Sequence, residues 1–223
     1  MQKSLRLFRL IFSIIVLATI TFQEASIAET GCGSLESAYG PLDYNDPNNR
    51  PKLRVVERRH FTPKVENLVG GESTDAIWAD FNYTLRWFPN HHRALLAFAK
   101  YELKEIQEHR QQNKPYNPPV EGFPLTAECY FDRAIRWRPS DSNVYLIQGI
   151  YLQMKGDFDA ALKAYKKSES IQPNSADLQN NLGLLYFSRK QYDLARYHAK
   201  KAYRLGYPLP GLRHKLTSVG QWP

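Results

Sequence analysis

The sequence has 223 residues, of which 43% are hydrophobic and 23% charged, and its formal net charge is +8. This length suits one sizeable domain or a short repeat array, and this composition excludes a chain that is disordered throughout. The positive charge suggests nucleic acid as a partner, but the first segment of the chain argues against this hypothesis.

The chain begins with the three parts of a secretory signal peptide in their usual order. Basic residues such as Lys3 and Arg6 precede an apolar run over residues 10–22, and Ser26 and Ala28 place small residues at a cleavage site. A membrane span needs about 20 apolar residues, so this run is short for one. We predict cleavage of residues 1–28 after Ala28, with an uncleaved membrane anchor as the alternative.

Export predicts a periplasmic or secreted protein and therefore argues against nucleic acid as the partner. Removal of residues 1–28 takes away three cations and one anion, which leaves a net charge of +6. Anionic envelope components fit that charge, although a modest positive charge also serves solubility alone.

The two cysteines, Cys32 and Cys129, both lie after the predicted cleavage site. An oxidising compartment favours a Cys32–Cys129 disulfide, and two buried thiols are the alternative. The chain contains no C-x-x-C spacing, so the pair indicates neither a redox motif nor a zinc site.

Residues 29–59 are rich in Gly, Pro and Asn and predict an irregular N-terminal strap that lies on the following helices or is a flexible tail. Tyr39, Leu42 and Tyr44 would need a surface to pack on. Apolar periodicity and capping residues then predict helices over the following segments. These are 63–68, 73–87, 91–108, 125–138, 142–154, 158–171, 176–188 and 192–205, with a capping turn at 212–216. Prolines at 115, 118, 119 and 124 predict an insertion loop near 109–124.

Part of the helical region repeats itself at a fixed spacing. Gly149 and Gly183 are 34 residues apart, as are Ala161 and Ala195. The segment 81–89 also matches 131–139 in its aromatic, Arg-Trp and Pro positions, at an offset enlarged by the insertion. This period and the small residues in it are typical of stacked helical hairpins.

These residues resemble the tetratricopeptide repeat (TPR) family, well over 142–208, less well over 90–139 and most weakly over 60–89. The segment 31–44 is also similar to the N-terminal segment of exported bacterial TPR proteins. The resemblance implies an all-α solenoid of about three to four helical hairpins over 60–208, with a C-terminal capping segment at 209–223.

The resemblance further implies a partner-binding groove lined by the first helix of each pair. Its positions fall on Arg93, Leu96, Lys100, Asn143, Leu146, Ile150, Gln153, Asn180, Leu184 and Phe187. Leu146, Ile150 and Leu184 stand where domains that clamp a C-terminal carboxylate need polar groups, so we expect a different ligand. An amphipathic helix or an extended peptide with apolar anchors would fit, unless the strap or the insertion loop covers these side chains.

The sequence offers no catalytic, cofactor or metal motif, and its six histidines are not spaced as metal ligands. We therefore predict a non-catalytic exported adaptor or scaffold that mediates protein–protein interaction in the bacterial cell envelope. The alternative is a structural accessory subunit held through a convex basic face and the N-terminal strap. The last repeat contains several cations, among them Lys200 and Lys201. Peripheral contact with an anionic membrane surface is therefore a further possibility.

Overall fold

The computed structural model describes residues 31–37, 40–73, 75–116 and 126–222. The predicted signal peptide, Tyr39 and residues 117–124 of the predicted insertion loop lie outside the described residues. The described residues form ten α-helices after a single 3-10 turn at Pro47–Asn49. They are α1 (Arg50–His60), α2 (Pro63–Glu66), α3 (Ile77–Trp87), α4 (His92–Gln111), α5 (Ala127–Trp137), α6 (Ser142–Lys155), α7 (Phe158–Ile171), α8 (Ala176–Ser188), α9 (Tyr192–Arg204) and α10 (Gly211–Ser218).

The predicted fold of stacked helical hairpins is confirmed. The helices α6 and α7 pack along each other, as do α8 and α9, and α4 contacts α6 on one side of the array. Gly149 and Gly183 lie where two helices approach closely: a Cβ at Gly149 would stand 2.4 Å from the ring of Tyr165. The glycine–alanine period in the sequence therefore marks the closest helix contacts.

Short polar side chains begin several of these helices. Asp141 and Asp157 accept hydrogen bonds from backbone amides in the first turns of α6 and α7, and Ser175 does so for α8. Each satisfies a donor that the helix itself leaves without a partner. Prolines 89, 139 and 173 stand in the turns before α4, α6 and α8, where they end the preceding helix.

The helices enclose two large apolar clusters. The first is built on aromatic side chains, including Phe81, Phe131 and Tyr151, which are at most 2% exposed. The second holds Tyr165 and the leucines of α8, and Leu212 and Leu216 of α10 complete it. The helix α10 therefore covers the apolar end of the last hairpin, as a repeat array requires.

The prediction of an irregular strap over the whole of 29–59 is wrong for its last ten residues, which belong to α1. Pro51 stands in the first turn of α1, a favoured position. Leu53 and Val56, three residues apart, share one face and pack with Phe88 as a small third cluster. Burial of this face stabilises α1 despite the Gly, Pro and Asn upstream.

The start predicted for the helix over 73–87 is also wrong, because α3 begins at Ile77. Ser73 instead donates its hydroxyl to the buried carboxylate of Asp80, and the backbone amide of Glu72 donates to the same carboxylate at 2.7 Å. These bonds hold the residues before α3 in a turn.

The first described residues of the strap are tied to α5. The Sγ atoms of Cys32 and Cys129 are bonded at 2.08 Å. Arg133 on α5 donates to the carbonyl of Ser34, and Arg136 donates to that of Gly33 at 2.9 Å. These bonds place residues 32–34 of the strap against α5, whereas Asn45 further along the strap donates to Asp141 at the start of α6.

Candidate interaction site

The predicted groove residues do not all face solvent. Leu146 is 7% exposed and Asn180 is 5% exposed, so these two side chains offer little surface to a partner, and contact at them stays a prediction. Leu146 packs in the second apolar cluster against residues of α7 and α8. The partner helix α7 and the helix α8 of the next hairpin therefore cover it.

The predicted positions at the N-terminal end of the groove differ in their exposure and in their partners. The guanidinium of Arg93 pairs with the carboxylates of Glu66 and Glu57. Hydrogen bonding from Arg93 holds the pKa of Glu66 below its ordinary value. Lys100 and Asn143 are exposed, whereas Leu96 is half-buried against the first cluster. Arg93 is thus already engaged within the protein.

Three of the predicted residues meet in one cavity of about 500 Å³, here called the distal cavity. It lies between α6, α8 and α10, and Ile150 packs nearby as part of the second cluster. The lining residues are Gln153, Leu184, Phe187, Ser188, Lys190, Tyr192, Lys215 and Val219. Their mixture of apolar, amide and ammonium groups suits recognition of a peptide rather than chemistry.

Aromatic and cationic groups are arranged together at the distal cavity. The rings of Phe187 and Tyr192 lie 5.5 Å apart in a tilted arrangement. The Nζ of Lys215 stands 5.8 Å from the centroid of the Phe187 ring, within reach of a cation–π contact. Lys190 stands at the turn between α8 and α9, and the lining contains no carboxylate. The cavity therefore favours an anionic group beside an apolar one.

Polar partners fix the orientation of the amide at the cavity wall. The hydroxyl of Tyr165 donates to Oε1 of Gln153 at 2.9 Å. This bond leaves the Nε2 hydrogens of Gln153 as donors for a bound segment. Burial raises the pKa of the Tyr165 hydroxyl, so this group remains a donor across the physiological range.

Lys190 has a backbone conformation that is unusual for its residue type. Its φ is 60°, in the left-handed region. One repeat earlier, the equivalent residue is Gly156, with φ 86°. Glycine adopts this conformation without steric cost, whereas other residues lose roughly 1 kcal/mol or more. The last hairpin thus ends its first helix with a cation where the preceding hairpin has glycine.

Sequence reasoning missed four lining residues that come from outside the first helices: Lys190, Tyr192, Lys215 and Val219. The sequence does show a high density of cations after residue 188, but the repeat pattern does not show which of them reach the cavity. The packing of α10 against α8 brings Lys215 to the cavity instead. One signal was available: Lys190 replaces glycine at a repeat position.

The described residues contain no cluster of His, Cys, Asp or Glu that could hold a metal ion. Over the same part of the chain, no helix has the length and apolar character needed to cross a membrane. The features that remain are helical hairpins and a cavity with apolar and cationic walls. They define a helical-repeat protein with a candidate site for a protein segment.

Comparison with known proteins agrees with this class. A family model described as TPR repeat matches residues 150–190, a segment that contains α7 and α8. With the hairpin fold, this match supports the recognition of a TPR protein and indicates a scaffold for protein–protein interaction.

Among solved structures, a crystal structure of MamA matches this chain with 19% sequence identity and a TM-score of 0.43. The match covers 71% of this chain and 82% of the MamA chain. Comparison with curated proteins gives no match.

Proposed function

We propose that the protein is an exported, non-catalytic TPR scaffold of the bacterial cell envelope that binds a partner protein at the distal cavity. The bound segment would carry an apolar side chain next to a carboxylate. The observation that carries this proposal is the left-handed Lys190 at the cavity wall, because it places a cation at the site at a cost in backbone energy.

The chemistry of the lining supports this ligand. Leu184 and Phe187 offer apolar surface that is only partly covered by the second cluster. Lys190 and Lys215 offer two ammonium groups, and charge complementarity of this kind favours specific and rapid association. A partner lacking the carboxylate would leave these cations without compensation, and one lacking the apolar side chain would leave the apolar wall in water.

Export is part of the proposal and has two supports. The first is the ordered signal sequence over residues 1–28. The second is the Cys32–Cys129 disulfide, since such bonds persist in oxidising compartments. Intact mass of the protein purified from the envelope fraction tests this step. A mass that begins at Glu29 and contains one disulfide supports it, and a cytosolic protein with two thiols contradicts it.

Partner binding is tested by photo-crosslinking in the native envelope with a benzophenone amino acid in place of Phe187. We expect a discrete crosslinked protein, identified by mass spectrometry, that disappears when Leu184→Glu is added. The control probe replaces Leu194, which is 44% exposed on α9 and does not line the cavity. The same crosslink from position 194, or its persistence with Leu184→Glu, would refute binding at the distal cavity.

A structural accessory subunit is the second candidate. It is favoured by the exposed cations Lys200 and Arg204 on α9, which lie outside the distal cavity. In that case Lys200→Glu with Lys201→Glu would release the protein from its complex, whereas Leu184→Glu would leave it bound. If the partner binds at the distal cavity instead, Leu184→Glu would release it and the lysine changes would leave it bound.

A further inference from the structure

A second cavity, here called the proximal cavity, lies between α1 and α3 at the other end of the array. Its volume is about 300 Å³. It is lined by Pro51, Lys52, Val55, Val56, Arg59, His60, Tyr83 and Trp87. Val55 is 48% exposed and Tyr83 is 36% exposed, which is unusual for large apolar side chains on adjacent helices.

The walls of the proximal cavity are held in place by packing beneath them. Val56 is 3% exposed and packs in the small cluster with Leu53 and Phe88. The rings of His60 and Tyr83 stack with centroids 3.8 Å apart, and Nδ1 of His60 is 2.9 Å from Oδ1 of Asp80. The cavity is therefore formed before any ligand arrives, which lowers the entropy cost of binding.

The helix that forms one wall carries a strong excess of positive charge. Its exposed cations are Arg50, Lys52, Arg54, Arg58 and Arg59. Within the described part of the chain, none of these five forms an ion pair. Glu57, the acid of α1, is hydrogen-bonded to His91 and paired with Arg93. Two of the five, Lys52 and Arg59, line the proximal cavity, and their charge is thus left for a ligand to neutralise.

We propose that the proximal cavity binds a second protein segment, which presents one bulky apolar side chain flanked by carboxylates. A volume of about 300 Å³ is at the lower end for ligand sites, so it holds one large side chain. The apolar residues Tyr83 and Trp87 line a recess, whereas contact with a lipid surface needs apolar side chains that protrude. The chain would then connect two acidic segments, one at each end of its array.

The test uses the full mature chain and four defined pentapeptides with a fluorescent label. These are Glu-Asp-Trp-Asp-Glu, its Phe and Ala counterparts at the centre, and Gln-Asn-Trp-Asn-Gln. We expect the acidic Trp and Phe peptides to bind at least about tenfold more tightly than the Ala peptide, because a ring enters the recess. The neutral peptide should bind more weakly than the acidic Trp peptide, and added salt should reduce this difference.

Variants assign the binding to this cavity. Val55→Glu and Lys52→Glu change exposed side chains, and circular dichroism checks that they remain folded. Each should weaken binding of the acidic Trp peptide by about fivefold or more. Lys163→Glu on α7 makes the same charge reversal far from the cavity and should leave affinity unchanged. The acidic Trp peptide also suits the distal cavity, so all these affinities are measured in a Leu184→Glu background, which removes that site and makes the result independent of the distal cavity.

Three results would overturn the proposal. The first is equal affinity for the Trp and Ala peptides, or unchanged affinity in Val55→Glu. The second is a protein that binds none of the peptides but binds phosphatidylglycerol vesicles in a way that depends on Lys52, which would make the occupant a membrane. The third is a dimer by analytical ultracentrifugation that Val55→Glu converts to a monomer, which would make it a second copy of this chain.

Discussion

Asn90, in the turn before α4, donates a hydrogen bond from Nδ2 to Oδ2 of Asp141, the residue that caps α6, over 2.9 Å. The same carboxylate lies 2.8 Å from Nε2 of His92 and accepts from Nδ2 of Asn45 in the strap at 2.8 Å. Burial alone raises the pKa of Asp141, but these partners, with His92 first among them, hold it below its ordinary value. One carboxylate thus joins the strap to two consecutive hairpins.

Substitution of Asp141 tests this junction. We expect Asp141→Ala to lower the free energy of unfolding by about 2–4 kcal/mol, because the buried amide of Asn90 loses its acceptor together with the partly buried donors of His92 and Asn45. The control is Asp157→Ala, which removes an exposed cap of α7 and should cost about 1 kcal/mol. Urea unfolding followed by circular dichroism measures both, and equal losses would contradict the role of Asp141 as a junction.

The close approach of α6 and α7 makes Gly149 sensitive to any side chain. Gly149→Ala would place Cβ 2.4 Å from the ring of Tyr165, a side chain that is fully buried. We expect a loss of about 1–3 kcal/mol by chemical denaturation. Gly211→Ala, where no atom stands within 4 Å of the new Cβ, should leave stability unchanged or increase it. A neutral Gly149→Ala would show that α6 and α7 can separate without cost.

The Cys32–Cys129 disulfide closes a segment with a sequence separation of 97. In the chain-entropy model a loop of that length contributes about 3–5 kcal/mol. Reduction of the wild type and the double change Cys32→Ser and Cys129→Ser should each lower the melting temperature, and the two decreases should be equal. Reductant should have no effect on the double variant. Equal melting temperatures of oxidised and reduced protein would contradict this stabilisation.

The left-handed backbone of Lys190 predicts that a change to glycine increases stability but weakens partner binding. Lys190→Gly should stabilise the protein by about 1 kcal/mol, because glycine adopts a φ of 60° freely. The same change removes a cation of the distal cavity and should reduce crosslinking from position 187. The reverse change at the equivalent position, Gly156→Lys, should destabilise without affecting crosslinking. A Lys190→Gly protein that is less stable would refute the strain at this residue.

His198 predicts a pH dependence of stability. Burial lowers its pKa to about 4, and its Nδ1 lies 2.7 Å from Oε1 of Gln179. An unfolded histidine has a pKa of about 6.5, so between these values the unfolded chain binds a proton that the folded chain does not. This contribution is complete above about pH 6.5 and is lost as the pH falls towards 4, by roughly 1–3 kcal/mol.

Thermal melts from pH 7 to pH 4 measure this loss in the wild type and in His198→Asn, whose amide can still donate to Gln179. We expect the variant to be less stable at pH 7 but to lose less on acidification. His91, whose pKa burial also lowers, titrates in both proteins, so the difference between them reports His198. Parallel curves would exclude His198 as the source.

The sequence predicted the helices of the last two hairpins well, because a 34-residue spacing of Gly149 and Gly183 fixes where two helices meet. It predicted α1 poorly, since the turn-forming residues just upstream concealed a short apolar face. That face consists of Leu53 and Val56, and only Phe88, far along the chain, gives it a surface to pack on. A contact of this kind leaves no local period.

The site was only partly predictable for a similar reason. A repeat position identifies the helix face on which Leu184 and Leu146 lie, but the burial of each depends on the neighbouring hairpin. Leu146 is covered by the next repeat, whereas Leu184 borders a cavity at the end of the array. Lys215 enters that cavity through the docking of α10, a contact outside the repeat pattern.

The disulfide also determines how the protein would carry mechanical load. Tension applied upstream of Cys32 passes through the sulfur–sulfur bond directly to α5, so α1 to α4 lie outside the force path. With a separation of 97 residues, the bond withholds roughly 320–350 Å of extended chain from stretching. An oxidised molecule pulled at its two ends would yield only from α5 onward, and the hairpins that hold the proximal cavity would bear no strain.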